Sequence, residues 1–216
     1  MFKEEARWIR RALSQVDLKA SATVLDVGAS NLEFRTRIQP HIREWVHQPL
    51  LAMGCPVRCL DIKQDAGVDI VADLASADVP DAIFSTTYDL IICCNILEHV
   101  RQRELFIGNL LRFAHCGTLL LVTVPRVYPK HNDPIDTMYR PTVHQLTEFV
   151  DSYAKCTTIA SEDLIINEKE YYVLKPGRKL DYLLARSARM LARWYMKPLR
   201  WRVTCALLEI KAARAS

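Results

Sequence analysis

Four side chains able to bind or polarise a ligand recur at one kind of place, inside or just after a short apolar run. Val24-Leu25-Asp26-Val27 leads into Gly28-Ala29-Ser30-Asn31, and Cys59-Leu60-Asp61-Ile62 follows Pro56. Asp73-Leu74 follows Val68–Ala72, and Asn95 closes the run from Tyr88 and leads into Ile96-Leu97-Glu98-His99. Gly28 lets the backbone turn tightly and approach a ligand, while Ser30 or Asn31 can begin a helix. A carboxylate at Asp26, just before that glycine, would repel a pyrophosphate and favour a cationic ligand. Asp61 is placed to accept from two ribose hydroxyls, and Asp73 to meet an adenine amino group. The interval from Gly28 to Asp61 is 33 residues, against roughly 20 in dinucleotide-binding folds, so NAD is disfavoured twice.

A second constellation lies further on, in the polar segment Arg126–Pro141. His131 has an unperturbed pKa near working pH and can take a proton from a hydroxyl. Asp133 or Asp136 can orient it, while Tyr128, Tyr139 and Arg140 can hold an acceptor. The bland alternative is that Asp133-Pro134 and Arg140-Pro141 are turn and helix-start residues and His131 is simply exposed. His99 either packs over a bound ligand or is itself the base, and His144 falls inside an expected helix as a structural residue. The spacing of His131, Asp133 and Asp136 is not diagnostic of a metal site, and no metal is expected.

These groups need elements to position them. Residues 3–16 read as an amphipathic helix with Trp8, Ile9, Ala12, Leu13 and Val16 inward, and residues 32–46 also look helical. Strands are expected at Thr23–Val27, Val57–Ile62, Val68–Ala72, Tyr88–Asn95 and Thr118–Val124. A helix at Val100–Ala114, closed by Cys116-Gly117, precedes the last of these. Another helix runs from Thr142 to Tyr153, and Thr157–Ala160 with Tyr171–Leu174 form an antiparallel edge. Strands alternating with helices imply right-handed crossovers, and near-continuous apolar strands imply a sheet covered on both faces. The expected class is therefore α/β, doubly wound, with a mostly parallel seven-stranded sheet. In such sheets ligands sit beyond the carboxyl ends of the strands, where the residues singled out above fall.

The segments LDVGAS, LDI, ADL and DLIICCNILEHV, in this order, resemble class I (Rossmann-like) S-adenosylmethionine-dependent methyltransferases of the small-molecule or glycan type. The resemblance covers roughly residues 20–175. It implies that Asp26 and Gly28 flank the methionine part of S-adenosylmethionine, Asp61 the ribose, Asp73 the adenine and Asn95 the sulfonium. Ala29, Ser30, Ile62 and Leu74 adjoin these positions and complete the expected cofactor-binding set. The segment from His131 to Thr137 resembles a His-x-Asp-Pro-Ile-Asp-Thr stretch of bacterial methyltransferases of surface-polysaccharide or secondary metabolism. One departure stands out: the family's glycine-rich turn is reduced to Gly28-Ala29-Ser30-Asn31-Leu32.

The expected activity is methyl transfer from S-adenosylmethionine to a hydroxyl of a glycan or small metabolite. The alternatives are a small-molecule N-methyltransferase, a non-catalytic scaffold that keeps the fold, and an RNA methyltransferase. The motif Asn/Asp-Pro-Pro-aromatic of nucleic-acid amino methyltransferases is absent after Asn95, and so is the paired-glutamate loop of arginine methyltransferases.

Charge is divided unevenly. Residues 178–216 hold ten basic and two acidic residues, against 19 basic and 23 acidic in residues 1–177. The expected organisation is a methyltransferase domain over 1–177 and a basic amphipathic helical extension over 178–216. Leu180, Leu184, Ala188, Leu191 and Tyr195 recur at helical spacing, Pro198 breaks the pattern, and Trp201, Cys205 and Leu208 suggest a second short helix. The extension packs on the domain or on a partner subunit of a homodimer, or lies on an anionic membrane surface; the acidic main domain disfavours nucleic acid. Seven cysteines, an odd number without a CxxC pair, argue for a reducing cytoplasm, with the inner membrane face as the place of any peripheral contact.

Overall fold

The computed structural model describes residues 1–131, 135–167 and 201–213. The first helix, α1 (Lys3–Leu13), buries Ala6, Trp8, Ile9 and Ala12, the stripe that its 3.6-residue period places on one face. Strand β1 (Val24–Val27) is buried along its whole length. It pairs in parallel with β2 (Val57–Asp61) on one side and with β4 (Tyr88–Cys94) on the other. The short β3 (Ile70–Val71) extends β2, and β5 (Ala114–Val127) runs parallel to β4.

Beyond β5 the sheet continues through β7 (Arg202–Ala213), antiparallel to β5, and ends on β6 (Ala154–Ile165), antiparallel to β7. The strand order is β3-β2-β1-β4-β5-β7-β6. The chain therefore walks outward from β1 to β3 and returns to β4 beside β1. The topological switch point lies between the ends of β1 and β4, where an open α/β sheet offers its crevice.

Both faces are covered, as the unbroken apolar strands require. Leu25, Val27, Ile91, Cys93, Leu120 and Val122 face helices α4 (Arg103–Leu111) and α5 (Val143–Asp151). Val24, Leu90, Ile92 and Leu121 face α1 and the helical stretch before β2. Helix α5 begins on a reciprocal cap: Gln145 N donates to Thr142 Oγ1 at 3.2 Å, and Thr142 N donates to Gln145 Oε1 at 2.9 Å.

Four expectations are corrected. The helix over 32–46 is broken into wide turns at Phe34–Ile38 and Arg43–His47, separated by α2 (Pro40–Ile42). Pro40 lacks the N–H that would continue the first turn, so Gln39 N closes onto Phe34 O instead. No element is expected between residue 46 and the strand at Val57, yet helix α3 (Gln48–Ala52) stands there. Cys116-Gly117 is not a helix cap, because β5 already starts at Ala114.

The fourth correction concerns the tail. Trp201, Cys205 and Leu208 do not mark a short helix, since 202–213 is a strand lying between β5 and β6. Val203, Cys205 and Leu207 point to one core, and Ala206, Leu208 and Ile210 to the other. With both faces buried the apolar residues run together, and period two is hidden in the sequence. The last stretch of the proposed extension is thus part of the sheet. The sheet is mixed, with β7 reversed. The expected strand Tyr171–Leu174 and the basic helix from 178 lie outside the described residues. Among the described residues no helix is long and apolar enough to cross a membrane.

Candidate active site

The turn after β1 carries two left-handed residues, Gly28 at φ +69° and Ser30 at φ +59°. Gly28 has a steric reason as well, since a Cβ there would come within 2.0 Å of Ile96 Cδ1. Gly28 N and Ala29 N both donate to Leu60 O, at 2.8 and 3.2 Å, which ties the turn to β2. Ser30 occupies a conformation that usually favours glycine, and the surroundings hold it there. Its N–H donates to Asp61 Oδ2 at 2.8 Å, and its carbonyl accepts from Arg35. The buried Arg35 also donates to Ala29 O at 3.0 Å and to Gly67 O at 2.8 Å. A guanidinium fork thus stabilises the turn where the sequence lacks further glycines. Arg35 was not anticipated; its only sequence signal is its position one helical turn after Asn31.

The strand-end acids differ in what they face. Asp61 accepts from Ser30 N and, through Oδ1, from Lys63 N at 3.1 Å. A carboxylate has about four lone-pair sites, so capacity for ligand hydroxyls remains. Asp73 is exposed and accepts from Ala75 N at 2.9 Å. Its loop is pinned by Asn109 Nδ2, which donates to Leu74 O and Ser76 O at 3.0 and 3.1 Å. Ile62 is 59% exposed beside Asp61, whereas Leu74 is buried in the core and does not line the crevice.

Asp26 and Asn95 depart further from expectation. Asp26 is buried, and its Oδ2 lies 2.8 Å from His47 Nε2. His47 was not anticipated, because it is distant in sequence and sits in the broken helical stretch. With Cys59 these two form one of two clusters of potential metal-ligating atoms among the described residues. Burial pushes the Cys59 thiol up to about 12. Asn95 adopts φ +56° and donates from Nδ2 to Glu5 Oε1 at 2.7 Å. Glu5, fully buried in the first turn of α1, also accepts from Thr123 Oγ1 and from Phe2 N at 3.0 Å. The Asn95 side chain is therefore engaged by α1.

On the far side of the switch point the chain gathers Glu98, His99, His131 and Asp136. The His99 and His131 rings meet edge-on at 5.0 Å, and Tyr128 stands 5.3 Å from His131. Asp136 holds His131 through the backbone: its Oδ2 accepts from His131 N at 3.1 Å and lies equally close to Nδ1, without hydrogen-bond geometry there. Asp133 lies outside the described residues. Burial opposes ionisation of Asp136, but bonds from Arg140, His131 N and Met138 N outweigh it and hold the carboxyl well below the usual range. Burial, followed by the neighbouring His99, lowers the pKa of His131, which keeps the ring neutral.

Glu98 is the unanticipated member, present in the sequence only as the middle of Leu97-Glu98-His99. It is 1% exposed, and neither oxygen accepts a hydrogen bond from another described residue. Burial pushes its pKa up to about 8. Two residues expected to hold an acceptor are already engaged. Arg140 Nη2 donates to Asp136 Oδ2 at 2.6 Å, and Tyr139 packs under the Arg103 guanidinium at 4.5 Å. His144 is exposed beside Glu148 and takes no part.

The architecture has many counterparts among solved structures. A coclaurine N-methyltransferase bound to N-methylheliamine and SAH superposes with a TM-score of 0.58 at 15% identity, over 95% of this chain and 70% of that one. The cyclase SpnF gives 0.58 at 14% identity, over 96% and 81%. An S-adenosylmethionine-dependent methyltransferase from Mesorhizobium loti gives 0.53 at 12% identity, over 94% and 97%.

The fold is that of the class I methyltransferases.

No family model matches the chain, and no curated protein matches it in sequence. A cyclase among the neighbours shows that this fold alone does not decide a reaction.

Proposed function

We propose that this chain is an S-adenosylmethionine-dependent methyltransferase acting on a hydroxyl of a small metabolite or glycan. The observation that carries the reading is the division of labour across the switch point. Asp61 and Asp73 end the strands on the β2–β3 side with unused acceptor capacity, while the Glu98–His99–His131–Asp136 group stands beyond β4 and β5. Asp61 would hold the ribose hydroxyls, the exposed Asp73 and Ile62 would meet the adenine, and the Gly28–Ser30 turn would lie against the methionine part. The bound cofactor supplies an electrophilic methyl group.

The remaining task belongs to this chain's own residues: positioning an acceptor and receiving its proton. A neutral ring nitrogen in the His99–His131 pair is the receiving group, and Asp136 orients His131 and stabilises a cationic ring. Tyr128 flanks that ring and offers an apolar wall. A second reading, N-methylation, is favoured by the neighbour whose name states that reaction. An amine needs no strong base, so His131→Ala would leave amine methylation within a few-fold while depressing hydroxyl methylation 10²-fold or more.

Calorimetry with S-adenosylmethionine tests the central claim. The intact chain should bind it, and Asp61→Ala should weaken binding roughly 10- to 100-fold, the worth of a hydrogen bond to a charged group. Absence of binding by the intact chain would overturn the reading in favour of a non-catalytic scaffold.

A further inference from the structure

We propose that Glu98, His99 and His131 bind a divalent transition-metal cation of the Zn²⁺ type, with coordination positions left open on the acceptor side. One ligand atom from each residue lies within 4.8 Å of the other two. Glu98 Oε1 and His99 Nε2 are 3.6 Å apart, close to the separation of about 3.4 Å that two ligands at 2.1 Å impose in a tetrahedral shell.

The tautomer of His99 makes this pair informative. His99 Nδ1 contacts the carbonyl oxygen of Ile135, so it must be the protonated nitrogen. In a neutral ring Nε2 then carries a lone pair, and it faces a carboxylate oxygen buried to 1% exposure with no other described partner. With Glu98 ionised, two acceptors face each other at a separation too long for a hydrogen bond. A cation satisfies both at once, and two histidines with one carboxylate form an established donor set for such metals.

The surroundings of the three ligands support the same assignment. Three consecutive residues each hold one of them: Ile135 O receives His99 Nδ1, Asp136 flanks His131 Nδ1, and Thr137 donates from both N and Oγ1 to the Glu98 carbonyl at 2.9 Å. Metal-bound histidines characteristically give their second nitrogen to a carbonyl or a carboxylate, as His99 does here, while Asp136 holds His131 through its backbone N–H at 3.1 Å. Asp136 is fixed in turn by Arg140 Nη2 at 2.6 Å and by Met138 N at 2.8 Å. Combined with the methyltransferase reading, on which this role rests, the cation would take an acceptor oxygen into an open position and make its proton easier to lose to solvent water, the two rings serving as the receiving base only when no metal occupies them. Metal binding itself does not depend on that reading.

The full chain, stripped with a chelator, should bind one equivalent of Zn²⁺ by calorimetry. Co²⁺ should produce d–d absorption of a low-symmetry nitrogen–oxygen site. Glu98→Gln and His131→Ala should each weaken binding at least 100-fold, and Asp136→Asn 10- to 100-fold. Zn²⁺ should raise the Tm of the wild type and not that of Glu98→Gln, which preserves the shape of the side chain. Affinity for S-adenosylmethionine, measured on the same variants, should persist. Failure of the wild type to bind either metal, or binding unchanged in both Glu98→Gln and His131→Ala, would overturn the site. A chain that binds metal but not S-adenosylmethionine would retain the site and lose the methyltransferase reading.

Discussion

Glu5 Oε1 accepts a 2.7 Å hydrogen bond from Asn95 Nδ2 across 90 positions of sequence, joining the N-terminal helix to the end of the central strand β4. The same carboxylate accepts from Thr123 within β5 and from Phe2 N at the start of α1. One buried acid thus locks α1 over the switch point. Replacing it orphans three donors, of which only the Thr123 hydroxyl is fully buried, and an orphaned buried donor costs about 1–3 kcal/mol. Glu5→Ala should therefore lower unfolding free energy by about 2–4 kcal/mol, read from urea denaturation. A loss below about 0.5 kcal/mol would show that α1 is held by its apolar face alone.

The contact between Gly28 and Ile96 predicts a non-additive pair. Gly28→Ala places a Cβ in a left-handed conformation, costing about 1–2 kcal/mol, and drives it into Ile96 Cδ1. Ile96→Ala removes that obstacle. The double variant should be more stable than the sum of the single changes implies, by about 1 kcal/mol or more. Additivity within error would mean that the turn yields instead of the side chain.

Arg35 replaces what further glycines would do elsewhere, so its loss should be felt in two ways. Arg35→Met removes the donors to the carbonyls of Ala29, Ser30 and Gly67 and should destabilise the chain by about 2–4 kcal/mol. Where denaturation shows the variant still folded, S-adenosylmethionine binding should weaken about tenfold, because the 28–30 turn is no longer held. Arg35→Lys should restore little, since an ammonium lacks the planar fork that reaches three carbonyls. Equal affinity in all three proteins would detach the turn from binding.

Thiol chemistry offers an independent check on the packing. Cys116 is exposed, Cys94 and Cys156 are partly covered, and Cys55, Cys59, Cys93 and Cys205 are buried. Burial raises the pKa of Cys59, Cys93, Cys94 and Cys205, which keeps them as unreactive thiols at pH 8. Alkylation at pH 8 should modify Cys116 first, with Cys59, Cys93, Cys94 and Cys205 reacting only after denaturation, as mass spectrometry of the digested protein would show. Early labelling of Cys59 or Cys93 would contradict the two-sided core.

Local reading succeeded where local physics sufficed. Strands β1, β2 and β4 are mostly apolar runs, interrupted by Asp26, Arg58 and Asp89 and bounded by Gly28, Pro56 and Asn95, and their order already implied parallel crossovers. It failed where a partner decides conformation. Residues 202–213 present apolar side chains at helical and extended spacing alike, and only the slot between β5 and β6 selects the strand. The helix over 32–46 is interrupted for a local reason, Pro40, which supplies no backbone donor. Within the site, Asp61 and Asp73 occupy the places their strands imply. Asp26 and Asn95 each give one polar atom to a residue remote in sequence, His47 and Glu5.

By itself the sequence determined where strands end and which polar residues stand at those ends, because an extended run buried on both faces must be apolar and must stop at a turn. Only the tertiary structure decided which of those residues face one another. The pairing of Asp26 with His47, the clamp of Arg35 on the 28–30 turn and the meeting of Glu98, His99 and His131 all join separated segments. Such contacts depend on strand order and crossover, which bring the carboxyl ends of β1, β4 and β5 to one edge, and no periodicity along the chain encodes that distance.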